Sequence, residues 1–185
     1  MRYPPEETAE KHARILEQAS ILFRERGFSG VSVSEIMKAT GLTHGAFYNH
    51  FESKEDLISK SIEEASAKAL DAMKESTASG EPMSQYVDGY ISERHRDDRG
   101  NGCLMAGLAS EIAREPAAQP AFTRHVEGMI KGFTDSPAKG KKKNTRRDAI
   151  HTLSSMVGAI ILARAVDNPD LSEEILREVR AALDQ

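Results

Sequence analysis

The chain has 185 residues, of which 39% are hydrophobic and 29% are charged, and its formal net charge is −4. A packed core can form from this composition, whereas the acidic balance excludes a protein that coats nucleic acid by charge alone. One cysteine excludes an internal disulfide, and no stretch approaches the roughly 20 apolar residues of a membrane helix. Because the first residues lack the apolar run of a signal peptide, we expect a cytoplasmic protein with no membrane partner.

Helical periodicity runs through the chain, and the period-two alternation of β-strands is nearly absent, so we expect an all-α fold. The first predicted helix carries five residues on one face: Ile15, Ala19, Leu22, Phe23 and Arg26. Gly27 follows these residues, at a position where helices commonly end in a glycine. The sequence therefore predicts one long helix that packs through this face and ends at Gly27.

Two short helices are predicted next. Ser32 and Glu35 have the spacing of a capping box, in which each side chain accepts a hydrogen bond from the other residue's backbone N–H. The helix that they begin stops at Gly41. Thr43 is placed to cap a third helix over about 44–50.

The rest of the chain is also predicted to be helical. Ser53 precedes a fourth helix, and the later helices are separated by turns rich in glycine and proline. The expected helices span about 54–76, 82–97, 103–114, a longer stretch after residue 116, 145–166 and 171–183. We expect the segment from Asp135 to Asn144 to be a mobile loop. A basic cluster there, Lys139–Lys143 with Arg146 and Arg147, has the alternative interpretation of a second nucleic-acid contact.

The first fifty residues have the pattern of a helix-turn-helix unit. Gly41 can adopt the positive φ that the tight turn between the two short helices requires. Ile36, Leu42 and Phe47 are spaced to form the small core between those helices. Gly45 has no side chain, so the backbone there can approach a phosphate or a base edge closely. The remaining positions of the third helix face outward: Thr43, His44, Tyr48 and Asn49.

Residues 27–58 resemble the signature of TetR/AcrR-family transcriptional regulators over about thirty contiguous positions. The matching positions include Gly41, Gly45, Tyr48, Phe51 and the segment 53–55. The resemblance implies an N-terminal three-helix DNA-binding domain, residues 1–53, and a C-terminal helical ligand-sensing and dimerisation domain, residues 54–185. It also implies a sequence-specific regulator, expected to be a repressor that a small-molecule ligand releases from its operator.

By this resemblance, the third helix enters the major groove of a palindromic double-stranded operator. Hydroxyl groups can bind phosphate and an asparagine can pair with an adenine edge, which makes these roles chemically sound. Three alternatives stay open: Tyr48 is partly core, His50 only packs against the first helix, and Lys54 is a solvated charge. The expected DNA contacts are Ser32, Ser34, Thr43, His44, Gly45, Tyr48, Asn49, His50 and Lys54.

The resemblance also implies a homodimer formed through the last two helices. Gly158, Ala159 and Ala163 would permit close approach of the helices, and Ile160 and Ile161 would supply apolar area. The alternative is that these residues are buried within their own domain. We favour the dimer, because one protomer would bind only one half-site.

We expect an unidentified small-molecule effector, apolar or aromatic in character, to bind between the helices of the second domain. Methionine and aromatic residues at helical spacing are also typical of ordinary core, so each expected contact has that alternative. The expected lining residues are Tyr86, Tyr90, Cys103, Met105, Leu108, Met129, Phe133 and Met156.

Cys103 has two interpretations. It begins a helix, where the helix N-terminus can lower the thiol pKa, and its surroundings resemble one branch of the family in which a cysteine senses electrophiles or oxidants. The alternative, which we favour, is a small buried hydrophobic residue.

Two other classes of protein compete with a regulator. An enzyme would need Cys103 as a nucleophile with His95, His125 or His151 as its base, but no motif orients these groups. No glycine-rich phosphate loop and no histidine spacing typical of a metal site is present, so no cofactor is expected. A helical interaction module without DNA binding is disfavoured by the intact Gly41 and Gly45.

Overall fold

The computed structural model describes residues 5–78, 83–136 and 144–184, and within these ranges it contains helices and no β-strand. The predicted all-α fold is confirmed. None of the described helices is long and apolar enough to span a membrane. The elements are α1 (Pro5–Arg26), α2 (Val33–Ala39), a 3-10 helix (His44–Asn49), α3 (Lys54–Ala78), α4 (Met83–Tyr90), α5 (Glu93–Asp97), α6 (Leu104–Ile112), α7 (Gln119–Asp135), α8 (Arg146–Ala165) and α9 (Pro169–Leu183).

Local hydrogen bonds set the helix ends at the positions that the sequence predicts. Gly27 has a φ of 75°, and its N–H donates to the carbonyl of Phe23 at 2.8 Å, which closes the last turn of α1. Ser32 and Glu35 form the predicted capping box of α2. Ser53 accepts a hydrogen bond from the N–H of Asp56 at 3.1 Å and so caps α3.

The predicted single helix over 82–97 is wrong, because Ser92 interrupts it. The Ser92 hydroxyl donates to the carbonyl of Gly89 at 2.8 Å and accepts from the N–H of His95 at 3.2 Å. One side chain thus satisfies a carbonyl at the end of α4 and an N–H at the start of α5. The predicted break at 79–82 and the lysine-rich segment 139–143 lie outside the described residues.

The helices pack around two apolar clusters. The first joins α1, α2, the 3-10 helix and the start of α3 to α6 and the start of α7. The second joins α4, α7, α8 and α9. The first cluster therefore continues across residue 53. Arg26, which was expected on the buried face of α1, is exposed and forms an ion pair with Glu35 at 3.1 Å.

Candidate functional site

The turn after α2 has the geometry of a helix-turn-helix. Gly41 has a φ of 72°, the positive φ that the sequence predicts. The N–H of Leu42 donates to the carbonyl of Met37 at 2.9 Å, so α2 ends in a Schellman motif. Arg14 of α1 donates to the carbonyl of Thr40 at 2.7 Å. The turn is thereby held against α1 as well as against α2.

The predicted third helix is a 3-10 helix of six residues. Thr43 is its N-cap, but the hydroxyl accepts no capping hydrogen bond, so that predicted role is wrong. The carbonyl of Thr43 instead accepts from the N–H of Ala46 at 3.0 Å, the i→i+3 bond of a 3-10 turn. Phe47 is 1% exposed and anchors the helix on the same cluster as Ile36. The Thr43 hydroxyl is left to face solvent.

The residues predicted to face outward from the 3-10 helix are exposed to solvent. Tyr48 is 66% exposed, an unusual state for an aromatic side chain, and its ring packs edge-on against Phe47 with centroids 5.2 Å apart. A Cβ atom added at Gly45 would meet nothing within 4 Å, so the surface there is open. The exposed residues of this face are Thr43, His44, Gly45, Tyr48 and Asn49. We call this set the 3-10 face.

Lys54 lies beside the 3-10 face, and its ammonium group is engaged within the protein. It donates to the carbonyls of Phe28 and Val31 at 2.5 and 2.6 Å. These bonds tie the start of α3 to the segment between α1 and α2. Its predicted contact with phosphate therefore depends on the remaining N–H of the ammonium and stays a prediction.

The start of α2 carries a negative charge. Hydrogen bonds from the backbone and hydroxyl of Ser32, together with Arg26, lower the pKa of Glu35 to about 2. Glu35 is therefore ionised near neutral pH and compensates the positive end of the helix dipole. A phosphate at Ser32 would have to compete with this carboxylate, whereas the exposed Ser34 has no such competitor on its own hydroxyl.

His50 packs against the first helix, as one of the two interpretations proposed. Its ring centroid lies 5.8 Å from that of His12 and 6.3 Å from that of Phe51. Burial, and then the charges of His12 and Lys11, lower the pKa of His50. A neutral imidazole is therefore expected near neutral pH, and its predicted contact with DNA stays untested.

Known proteins share both the motif and the whole fold. A family model, "Bacterial regulatory proteins, tetR family", matches residues 15–60. UidR, an HTH-type transcriptional regulator of Escherichia coli K12, is 30% identical over 132 residues, which cover 69% of this chain and 67% of UidR. The chain belongs to the TetR family. The predicted family is thus confirmed, and the protein is a helix-turn-helix transcriptional regulator.

Two further known proteins extend the similarity to nearly the full length. The transcriptional repressor DhaR of Mycobacterium sp. strain GP1 is 26% identical over 178 residues, which cover 91% of this chain and 90% of DhaR. The crystal structure of reduced E. coli NemR superposes with a TM-score of 0.79 at 21% identity, covering 94% of this chain and 95% of NemR. At that identity the second comparison concerns the fold alone.

This TetR-family protein has a cavity of about 340 Å³ between α1, α3, α4, α6 and α7. Five of the eight expected contacts line it: Tyr86, Tyr90, Cys103, Met105 and Met129. Leu108, Phe133 and Met156 do not line it and are at most 2% exposed. These three residues belong to the apolar clusters, which is the alternative that the sequence left open for them, and a contact with ligand stays a prediction.

The cavity also has polar lining residues that the sequence analysis missed, among them Arg24, His95 and Asn101. Arg24 belongs to α1, and its Nε donates to the carbonyl of Gly100 at 2.6 Å. Helical periodicity cannot identify Arg24 as a lining residue, because only the packing of α1 against the turn before α6 closes the cavity there.

The surroundings of Cys103 favour an ordinary thiol. Burial raises the pKa of Cys103 and outweighs the lowering, considered from the sequence, by the backbone N–H groups of Met105 and Ala106 at the helix N-terminus. His95 is no base for it, because Nε2 accepts from the backbone N–H of Cys103 at 2.9 Å and Nδ1 lies 2.7 Å from the carbonyl of Tyr90. His125 is buried against Ser66. Within the described residues, no group of three His, Cys, Asp or Glu side chains could hold a metal ion.

One face of α8 carries large apolar side chains on the protein surface. Ile161 is 42% and Leu162 56% exposed, and a Cβ atom added at Gly158 would meet nothing within 4 Å. Ile150 of α8 and Leu171 of α9 are also exposed. Ala159, Ile160 and Ala163 are buried inside their own protomer, so their predicted place at a dimer interface is wrong. We call the exposed residues Ile150, Ile161 and Leu162, together with the half-buried Gly158, the α8 face.

Proposed function

We propose that this protein is a homodimeric repressor that holds a palindromic operator and releases it when a small molecule occupies the cavity. The 3-10 face carries the proposal: Tyr48 is 66% exposed directly beside the buried anchor Phe47. An exposed aromatic residue among polar neighbours, on the second helix of a helix-turn-helix, fits a surface that contacts DNA. In this proposal residues 1–53 form the DNA-binding domain and residues 54–185 the sensing and dimerisation domain.

Each residue of the 3-10 face has a chemical role in the proposed complex. Asn49 can pair with an adenine edge, and the hydroxyls of Thr43 and Tyr48 can donate to phosphate oxygens. His44 can donate to a guanine or a phosphate, and Gly45 allows close approach of the backbone. The 3-10 helix contains no Lys or Arg. Affinity must therefore come from two half-sites bound together more than from charge density.

The α8 face supports the proposed dimer. A row of exposed apolar side chains on a long helix costs free energy in water and is stabilised by burial. Its occupant in the proposal is the same face of a second copy, because twofold symmetry would place two 3-10 faces against the two halves of a palindrome. Gly158 lies in open space within the row and permits close approach of the partner helix.

The proposed release depends on where the cavity lies. Its wall includes residues of α1, which belongs to the DNA-binding unit, and of α3, which continues from that unit into the sensing domain. A ligand can change operator affinity only if it binds two arrangements of these helices with different affinity. Direct contact with α1 and α3 provides a route for such a difference.

The experiment is an anisotropy titration of purified protein against fluorescent duplexes that tile the DNA upstream of its own gene, beside a scrambled duplex. We expect one fragment to bind two protomers tightly, with affinity falling steeply as salt rises. Tyr48→Ala should weaken that binding at least about tenfold, whereas Thr123→Ala, an exposed position on α7, should not change it. Wild-type binding no tighter than to the scramble, on every fragment and in a genome-wide selection, would reject the proposal.

A further inference from the structure

Tyr90 lines the cavity, and its buried hydroxyl makes no hydrogen bond of normal geometry. Tyr90 is 9% exposed, and its oxygen is the one fully buried side-chain oxygen or nitrogen among the described residues that makes no hydrogen bond. Leaving a buried hydroxyl unsatisfied is unfavourable. Such an atom beside a cavity indicates that a ligand supplies the missing partner.

Arg24 brings a positive charge to the same cavity. Its Nε donates to the carbonyl of Gly100, and its other N–H groups have no acceptor among the described residues. Burial lowers the pKa of Arg24, because the charge lies largely away from bulk water. The thiol of Cys103 lies close to both groups: it interacts with the charge of Arg24, and it is the weakly hydrogen-bonding neighbour of the Tyr90 hydroxyl.

The other charges of the cavity lie near solvent and are paired. Lys68 lies 3.7 Å from Glu17 and 3.5 Å from Glu64, and all three side chains are well exposed. His125, which is buried, has its pKa lowered to about 4 and is neutral near pH 7. The rest of the wall is largely apolar: Ile21, Ala65, Ala69, Leu104, Met105 and Met129. Among the described residues that line the cavity, Arg24 is the cation with no carboxylate within ion-pair distance, although the charge of Asp98 nearby acts to raise its pKa.

We propose that the effector is a small apolar acid, such as an aromatic carboxylate, whose anionic oxygens accept hydrogen bonds from Arg24 and Tyr90. This inference rests on the proposed ligand-released repressor and names its ligand class. A guanidinium and a phenol hydroxyl together suit a carboxylate, because hydrogen bonds to a charged acceptor are the strong ones. The apolar wall fits the remainder of such a molecule.

The same contact explains how the ligand would act on DNA binding. Arg24 lies in the last turn of α1, and its bond to Gly100 ties that turn to the segment before α6. Glu111 of α6 makes a second tie, accepting from the N–H of Phe28 at 2.6 Å. A carboxylate competes with the Gly100 carbonyl for the Arg24 guanidinium. It thereby weakens one of the hydrogen bonds that, together with the first apolar cluster, hold the DNA-binding unit against the sensing domain.

The test is calorimetric titration with two probes of the same ring system and opposite charge, 2-naphthoate and 2-naphthylmethylamine. We expect wild-type protein to bind the carboxylate at least about tenfold more tightly than the amine. Tyr90→Phe should weaken 2-naphthoate about tenfold, and Arg24→Met should weaken it by at least as much. Tyr48→Phe, the same chemical change outside the cavity, should leave the affinity unchanged.

Three outcomes would overturn this ligand class: equal affinity for both probes, unchanged 2-naphthoate affinity in Tyr90→Phe, or no binding of either probe. In the unliganded fold Tyr90→Phe removes only the contact of the hydroxyl with the weakly hydrogen-bonding thiol of Cys103, so a tenfold loss of affinity would not arise from a structural defect. The proposed repressor is tested separately by operator binding of the unliganded protein. Operator binding with no preference for the carboxylate would overturn only the ligand class, whereas loss of operator binding would overturn the repressor.

Discussion

At the scale of single residues, the polar groups of Tyr90 and Glu35 are opposite cases: one makes no hydrogen bond and the other accepts several. The Tyr90 hydroxyl is buried with no hydrogen-bond partner among the described residues. The Glu35 carboxylate lies at the surface and accepts from the backbone and hydroxyl of Ser32 and from Arg26. An unsatisfied buried group lowers stability, whereas a satisfied capping carboxylate raises it. Each case gives a measurable consequence.

Tyr90→Phe should raise the free energy of unfolding by about 1 kcal/mol, because it removes a buried hydroxyl that has lost its water and has only the weakly hydrogen-bonding thiol of Cys103 beside it. The measurement is urea unfolding followed by circular dichroism, without ligand. Tyr48→Phe is the control: that ring is 66% exposed, so its stability should change by less than about 0.5 kcal/mol. A clear loss of stability in Tyr90→Phe would mean that the hydroxyl has a partner in solution.

Glu35 should make the stability of the folded protein fall as the solution becomes acidic. Its pKa in the folded protein is lowered from 4.5 to about 2, so its stabilising contribution is complete above about pH 5 and is lost as the pH falls toward 2. Glu35→Gln should therefore be less stable than wild type at pH 6, and the difference should shrink as the pH falls. Urea midpoints across this range measure it. Glu127→Gln, at an exposed position of α7, should follow the wild-type curve, and a constant Glu35→Gln difference would contradict the prediction.

At the scale of elements, the helix-turn-helix places two glycines four residues apart for different reasons. Gly41 has a φ of 72° and ends α2, whereas Gly45 has no positive φ and lies within the 3-10 helix. Neither position has an atom within 4 Å of an added Cβ. Space is therefore equal at the two positions, and only the backbone conformation of the free protein distinguishes them.

Gly41→Ala should lower the free energy of unfolding by about 1–2 kcal/mol, the cost of a left-handed conformation for a residue with a Cβ. Gly45→Ala should change it by less than about 0.5 kcal/mol and yet weaken operator binding, because the added methyl occupies the surface proposed to approach DNA. Urea unfolding and anisotropy on the same two proteins separate these effects. Equal losses of stability would show that the difference in φ is not decisive.

At the scale of the whole molecule, the two apolar clusters and the α8 face make different contacts. The first cluster joins the helix-turn-helix to α6 and α7, so the DNA-binding unit shares its core with the sensing half. The second cluster buries the inner side of α8 and leaves Ile161 and Leu162 outside. The proposed dimer uses this outer side, where a charge can be introduced without disturbing either cluster.

Leu162→Glu should convert the proposed dimer into a monomer, because a pair of carboxylates facing each other across a twofold axis would be desolvated without partners. Sedimentation velocity at micromolar protein measures the change, and operator affinity should fall with it. Thr123→Glu adds the same charge at an exposed position of α7 and should leave the dimer intact. A Leu162→Glu protein that still sediments as a dimer would remove α8 from the interface.

The amino-acid sequence by itself determined the features that depend on interactions between near neighbours. The Ser32–Glu35 capping box, the glycine ends at Gly27 and Gly41, and the outward direction of Tyr48 all follow from residues a few positions apart. The all-α fold and the family follow from the same local patterns. These predictions succeeded because hydrogen bonds and side-chain periodicity within one or two helical turns need no knowledge of distant contacts.

Only the tertiary structure decided what depends on packing between distant segments. Periodicity places Ile160 and Ile161 side by side, but contact with the second cluster buries the first and leaves the second exposed. Phe133 was expected at the cavity and lies in core, while Arg24 reaches the cavity because α1 packs against the turn that contains Gly100. A residue's contacts with distant segments depend on which helices pack together and on the rotation of each helix about its axis. The types of the adjacent residues do not specify that arrangement.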